Sequence, residues 1–324
     1  MRIAAIDLGT VSSRLLLGEV EGGAALNWRA TTRITDLGEG VDATGRLSAG
    51  AMARVADACA EFIDRARDYG AKVVSTTLTS AARDAENGED LLDALRALGL
   101  APCVIAGETE ARLTFFGVAH DFAGERILVA DSGGGSTELA LGGYLPGEPL
   151  SLDRAVSLDL GCRRITERFL ARSPIPADGE IREAACWANG MLAAALADAP
   201  ARPSRLVAVG GTATTLVAMA CGLAVYDPAF VHLHALTAAD VDRCISLMTG
   251  KTAAEIAELP GVQAKRAPVL LGGALIVREL LATGGYSELT VSENSLLAGM
   301  AATIAEVLDG RIAAVGWTPD LTRL

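Results

Sequence analysis

The sequence predicts an α/β protein of two similar domains with mixed sheets. Three observations lead there. A glycine-rich passage near the N-terminus recurs about 124 residues later. Apolar, β-rich runs alternate along the chain with stretches of helical period. The 324 residues suit about two domains of roughly 150 residues each. With 51% hydrophobic and 21% charged residues, the chain is too apolar to be disordered.

The recurring passage reads IAAIDLGTVSSRLLLGEV at 3–20 and ILVADSGGGSTELALG at 127–142. Superposing Asp7 on Asp131 aligns Gly9 with Gly133 and Ser12 with Ser136. Each copy is an apolar run, a tight glycine turn and a returning apolar run, which predicts a hairpin. After the first hairpin, Ala53, Ala56, Ala60 and Ile63 set a helical period over 49–69, closed by Gly70. A strand is expected over 72–77, a helix over 87–98 ending at Gly99, and a short strand over 102–105. Gly107 then opens another helix. After the second hairpin come a helix over 179–197, a strand over 205–209 running into Gly210-Gly211, and a helix over 212–220. Further helices are expected over 269–281 and 295–308, with a strand over 289–292 between them. The boundary is placed near residue 120. Residues 1–120 with a returning C-terminal helix, about 301–324, form the first domain, and 121–300 form the second. A ligand is expected in the cleft between them.

The formal charge of −12 argues against a nucleic-acid partner, which wants a basic face. No run of about 18 apolar residues occurs, so no membrane span is expected. The N-terminus lacks a three-part export signal. The six cysteines lack a CxxC pair and read as buried thiols in a reducing cytoplasm.

Each glycine hairpin suits a phosphate, because glycines let backbone N–H groups converge on an anion. Ser12, Ser13, Ser136 and Thr137 add hydroxyls. Two ordinary β-turns remain the alternative. Asp131 and Glu138, with Asp7 as counterpart in the first copy, suit Mg²⁺ bound through carboxylates and phosphate oxygens. Asp131 could instead cap its turn and Glu138 be a solvated strand residue. Glu108 and Glu110 could compensate a helix dipole, or one of them could activate a water. Arg83 could be a phosphate fork or a surface arginine. Gly211 and Thr212 open a helix that could hold phosphate at its N-terminus. His232 and His234 would share a face on a strand and could ligate a metal, although no third ligand is evident nearby. His120 is expected in a solvent-facing loop.

The motifs AAIDLGT-x-SSRLLL, TSAARDAEN, GETEARLTFFGV, ADSGGGSTELAL, LGCRRITERFL, AVGGTATTL and VSENSLLAGM resemble, in this order, those of the exopolyphosphatase/guanosine pentaphosphate phosphohydrolase family. The resemblance runs from Ile3 to about Leu308. It implies two ribonuclease-H-like domains of the actin-like ATPase superfamily around a cleft. It places Glu110 on the catalytic base, and Asp131 and Glu138 on acidic positions linked to metal and water. Gly9, Thr10, Ser12, Ser13 and Arg14 fall on the first phosphate loop. Gly133, Gly134, Gly135, Ser136 and Thr137 fall on the second, and Arg83 on an arginine facing the cleft. The implied reaction is Mg²⁺-dependent removal of a terminal phosphate from inorganic polyphosphate or of the 5′ γ-phosphate from guanosine pentaphosphate, by a homodimer.

Three positions depart from the family. Val11 stands where asparagine is usual, Ser132 where the family is apolar, and Pro268 where aspartate is common. Longer members carry C-terminal helical domains, and the stop at Leu324 implies a preference for short polyphosphates. An actin-like kinase, suggested by the Gly-Gly-Thr at 210–212, and a polyphosphate or alarmone sensor that binds without hydrolysing are the other readings.

Overall fold

The computed structural model describes residues 1–197 and 203–324. The chain falls into two compact units. The first is Met1–Glu125 with Gly143–Ser151 and Asn294–Leu324, and the second is Arg126–Gly142 with Leu152–Glu293.

In the first unit β1 (Arg2–Leu8), β2 (Ser12–Glu21) and β3 (Ala24–Ile34) form an antiparallel meander. Strands β4 (Val73–Leu78) and β5 (Pro102–Val104) extend the sheet in parallel from β1. Its order is therefore 3-2-1-4-5. In the second unit β6 (Arg126–Ser132), β7 (Thr137–Gly143), β8 (Ser151–Leu158), β9 (Arg205–Val209), β10 (His234–Thr237) and β11 (Glu288–Val291) lie in the order β10-β11-β9-β6-β7-β8. β6, β9 and β11 run parallel, so β8-β7-β6-β9-β11 repeats the arrangement of β3-β2-β1-β4-β5. A last short strand, β12 (Thr322–Arg323), joins β4 antiparallel. Both sheets have the mixed, ribonuclease-H-like arrangement that the resemblance implied.

Sequence accounts for most elements. β1 and β6 are buried on both faces after their first residue, as expected of strands inside a mixed sheet. The helix Ala49–Tyr69 buries Val55, Cys59, Phe62, Ile63 and Ala66 along one stripe. Gly70 closes it at φ 82°, where a side chain would be strained. At its start the Ser48 hydroxyl accepts the Ala51 N–H at 3.1 Å. Ser48→Ala should therefore lower unfolding stability by about 1 kcal/mol in a denaturant titration.

Two glycine contacts fix helix packing. In the first unit, a Cβ on Gly117 or Gly299 would overlap the other helix's backbone, so the helices Gly107–Ala119 and Leu296–Leu308 touch main chain to main chain. In the second unit, Gly272 and Gly273 of the helix Ala267–Gly284 press on Cys162–Thr166 and on Thr212. The stretch Ala264–Gly284 is long and apolar enough to cross a membrane, which the sequence reading did not expect; two thirds of it, 67%, is buried within the protein as a core helix.

Three smaller expectations are corrected. Cys186 and Cys221 are exposed and Cys103 is half-buried; only Cys59, Cys162 and Cys244 are buried. Burial pushes the Cys59 thiol up to about 12. His120 is exposed, as expected, but it opens a 3-10 turn instead of lying in a loop, and its ring lies 4.8 Å from both Phe116 and Tyr144. His232 and His234 do not share a strand face. Leu233 between them is left-handed at φ 63°, His232 ends the short helix Pro228–Val231, and β10 begins only at His234.

Candidate active site

The two glycine turns are built alike. At the end of β1 the Gly9 N–H donates to the Ser12 carbonyl at 3.0 Å. At the end of β6 the Gly133 N–H donates to the Ser136 carbonyl, also at 3.0 Å. A Cβ at Gly9 or Gly133 would stand 3.2 or 3.3 Å from that same carbonyl, which is tight for any larger residue.

Behind each turn a second segment holds the loop's carbonyls. The Gly38 N–H donates to the Thr10 carbonyl, and the Thr35 and Asp36 N–H groups to the Val11 carbonyl, at 2.9 to 3.1 Å. In the second unit the Cys162 N–H donates to the Gly133 carbonyl and the Arg163 N–H to the Gly134 carbonyl, both at 2.9 Å. The Arg164 guanidinium takes the Gly135 carbonyl at 2.8 Å. With the carbonyls drawn back, the N–H groups of Thr10 and Val11, and of Gly134 and Gly135, have no acceptor among the described residues. Paired, unclaimed N–H groups in a turn are an anion-binding arrangement.

The carboxylates sit at strand ends beside these turns. Asp7 is buried, and the Arg14 guanidinium donates twice to its Oδ2, at 2.9 and 2.7 Å. The pair follows from the register, in which Asp7 on β1 faces Arg14 on β2. Arg14 also donates to the Ser295 hydroxyl at 3.2 Å, so its guanidinium is committed within the first unit. The other oxygen of Asp7, Oδ1, is buried with no hydrogen-bond partner. In the second unit Asp131 and Glu138 are buried on adjoining strands, and Glu138 accepts the Ser157 hydroxyl at 2.7 Å. Gly210, at φ 92°, has Asp131 Oδ1 where a Cβ would be, 2.9 Å away, so only glycine fits beside that carboxylate.

Glu110 and Arg83 come together in the first unit. Glu110 lies in the first turn of the helix Gly107–Ala119, buried to 7% exposure, and accepts Arg83 Nη1 at 3.3 Å. The same nitrogen donates to the Ile105 carbonyl at 2.9 Å. Glu108, in the same turn, is exposed and pairs with Arg112 at 3.7 Å. The two acids thus differ in setting: Glu108 is exposed beside Arg112, and Glu110 is the buried carboxylate held beside a cation.

Not every expected contact lies in the loops. The Ser13 hydroxyl is buried against Thr35 at 2.9 Å, and the Thr137 hydroxyl donates to the Leu160 carbonyl, so both serve the scaffold. Thr10 and Ser136 are buried and Ser12 is half-buried at the turns themselves. Gly211 and Thr212 open the helix Gly211–Ala220, where the Arg266 guanidinium fills the space a Cβ on Gly211 would need. Cys162 is hydrogen-bonded to Thr212, and burial raises its thiol pKa.

The backing segments escaped the sequence reading, although a signal was present. Asp-Leu-Gly occurs at 36–38 and again at 159–161, nearly the same offset as the two turns. A Cβ on Gly38 would overlap Thr10, and one on Gly161 would overlap Gly134. Leu37 and Leu160 are fully buried beneath. Among the described residues no three His, Cys, Asp or Glu side chains group to hold a metal ion alone. The unpartnered Asp7 Oδ1 and the buried Asp131 and Glu138 are hard oxygen donors of the type that share Mg²⁺ with phosphate oxygens and water.

Known proteins resemble the chain along nearly its whole length. The profile of the Ppx/GppA phosphatase family matches residues 23–306. The chain is 38% identical to Exopolyphosphatase 2 of Mycobacterium tuberculosis, covering 94% of this chain and 98% of that one. A crystal structure of a Ppx/GppA family member from Aquifex aeolicus superposes with a TM-score of 0.76 at 29% identity, over 96% of this chain and 98% of that one. An exopolyphosphatase structure from Cytophaga hutchinsonii superposes with a TM-score of 0.82 at 25% identity, over 98% and 100%.

Proposed function

Because the chain belongs to the Ppx/GppA phosphatase family, we propose that it is an exopolyphosphatase, a phosphoanhydride hydrolase that passes the terminal phosphate of inorganic polyphosphate to water. The observation that carries this reading is the matched pair of turns, each with two unclaimed N–H groups and a buried aspartate at the strand before it.

Phosphoryl transfer asks for positioning and charge stabilisation more than for covalent chemistry. In this reading the N–H groups of Thr10, Val11, Gly134 and Gly135 bind phosphoryl oxygens. Glu110 accepts a proton from the attacking water at its carboxylate, and Arg83, bonded to it at 3.3 Å, fixes the orientation of that carboxylate. In the second unit Asp131 and Glu138 would hold Mg²⁺, which when bound offsets phosphate charge, and Asp7 offers the corresponding oxygen in the first unit. The buried, oriented state of Glu110 favours hydrolysis over a sensor that only binds. The proposal includes a cytoplasmic location and no nucleic-acid partner, supported by six free cysteines and the formal charge of −12, and a homodimer, which rests on the family resemblance alone.

The test is orthophosphate release from polyphosphate and from guanosine pentaphosphate at equal concentration, with Mg²⁺ and again with EDTA. Release from polyphosphate should dominate and should fall at least about tenfold with EDTA. Faster release from the nucleotide would move the assignment to pentaphosphate hydrolysis. EDTA-insensitive release would remove the metal from the proposal.

A further inference from the structure

The first unit contains a cavity of about 350 Å³, which none of the residues proposed for catalysis lines. It lies where the β2–β3 turn, the end of the helix Gly107–Ala119, the segment 144–147 and the helix Leu296–Leu308 meet. Its volume is in the range of small-molecule sites. Its walls are of two kinds.

One wall is aromatic. Phe116 and Tyr144 meet edge to face at 5.4 Å and 84°, and the His120 ring sits 4.8 Å from each. The His120 ring is fixed by a 2.7 Å bond between Nδ1 and the Phe116 carbonyl. Trp28, half-buried on β3, adds a fourth ring to the lining.

The polar wall carries Glu306 and Arg311. Arg311 is spent: its guanidinium donates to the Gly23 carbonyl and pairs with Asp309 at 3.3 Å. Glu306 is not balanced in this way. It accepts the Ala314 N–H at 2.9 Å through Oε2, and no arginine or lysine pairs with it among the described residues. Glu306 and Arg311 are the two charged lining residues, and with Asp309 paired to Arg311 from outside the lining, one net negative charge remains beside the ring faces. Burial and the nearby Glu306 charge also raise the Tyr144 phenol above its ordinary value, which keeps that ring neutral.

Ring faces attract cations, and most strongly where water is partly excluded. A carboxylate beside them selects a cation over a neutral ring. The remaining lining is small, with Gly22, Gly23, Ala298 and Ala302, and it leaves room for a methylene chain. We propose that this cavity binds a small alkylammonium ion, its cationic head between Glu306 and the Trp28–His120–Tyr144 rings and its alkyl part along the glycine–alanine floor. The site is separate from the phosphate chemistry and does not depend on that assignment.

The experiment is calorimetric titration of the full chain with spermidine and, separately, with choline, without polyphosphate, which would itself bind the polyamine. Glu306→Gln keeps the Ala314 acceptor and removes only the charge, and it should weaken binding about tenfold or more. Ala302→Leu fills the floor and should weaken binding to a similar degree, which keeps the test intact if the first variant folds poorly. Asp64→Asn, an exposed acid on a different helix, should bind as the parent does. Equal affinity in all four proteins, the signature of diffuse attraction to an acidic chain, overturns the proposal. So does an absence of binding up to about 10 mM ligand.

Discussion

Glu110→Gln is expected to lower the rate of phosphate release by about 10²- to 10⁴-fold, the usual contribution of a positioned general base. Glutamine has the same shape and still accepts from Arg83, so the Arg83–Ile105 contact persists and the fold is unchanged. Substrate affinity should stay within about twofold, because the base acts on water and not on the bound chain. Single-turnover kinetics with a separate binding measurement distinguishes the two effects. Glu108→Gln, in the same helical turn but exposed, should leave both unchanged. Full turnover in Glu110→Gln would take the base role from this residue.

Gly161→Ala should be nearly as damaging by a different route. Its new methyl would overlap the carbonyl of Gly134 and crowd the backbone of Gly135. Both neighbours are main chain, so relief requires the loop itself to move. The displaced atoms carry the N–H groups proposed to bind phosphate. A misplacement of about 1 Å at such a site costs on the order of 10²-fold, and it should appear as a raised KM together with a lowered kcat. Gly190→Ala is the control: its Cβ would meet nothing within 4 Å. A helical Gly→Ala change gains up to about 1 kcal/mol, and activity should be unaffected. Parent-like kinetics in Gly161→Ala would show that the second turn is not held from behind in solution.

Much of this was legible in the chain because the informative elements follow local rules. The helix at 49–69 has a clean apolar stripe and a glycine stop, and the structure places it at Ala49–Tyr69. Both hairpins were readable because strand, turn and strand are contiguous. The strand β3 was missed because it is a largely exposed sheet edge, where Arg29, Thr31, Thr32 and Arg33 give no apolar alternation. The histidine pair misled because one left-handed leucine breaks the two-residue period on which the face argument depends. The role of Ser13 and Thr137 was not legible at all. A serine beside a glycine turn looks the same whether its hydroxyl meets a ligand or, as here, Thr35. The backing segments needed long-range knowledge, namely that residues 35–38 return to 9–12 and residues 161–164 to 133–135.

The close approach of Gly117 and Gly299 bears on how the protein emerges during synthesis. The helix Gly107–Ala119 leaves the ribosome early, but the helix that packs against its backbone is made about 180 residues later. The intervening chain, from Arg126 onward, is complete by Glu293 and can close its own core first. The unit that begins translation is thus the last to finish folding. A premature stop ahead of Leu296 would leave residues 107–119 with an uncovered apolar flank, a target for chaperones and proteases, while the later-made half stands complete.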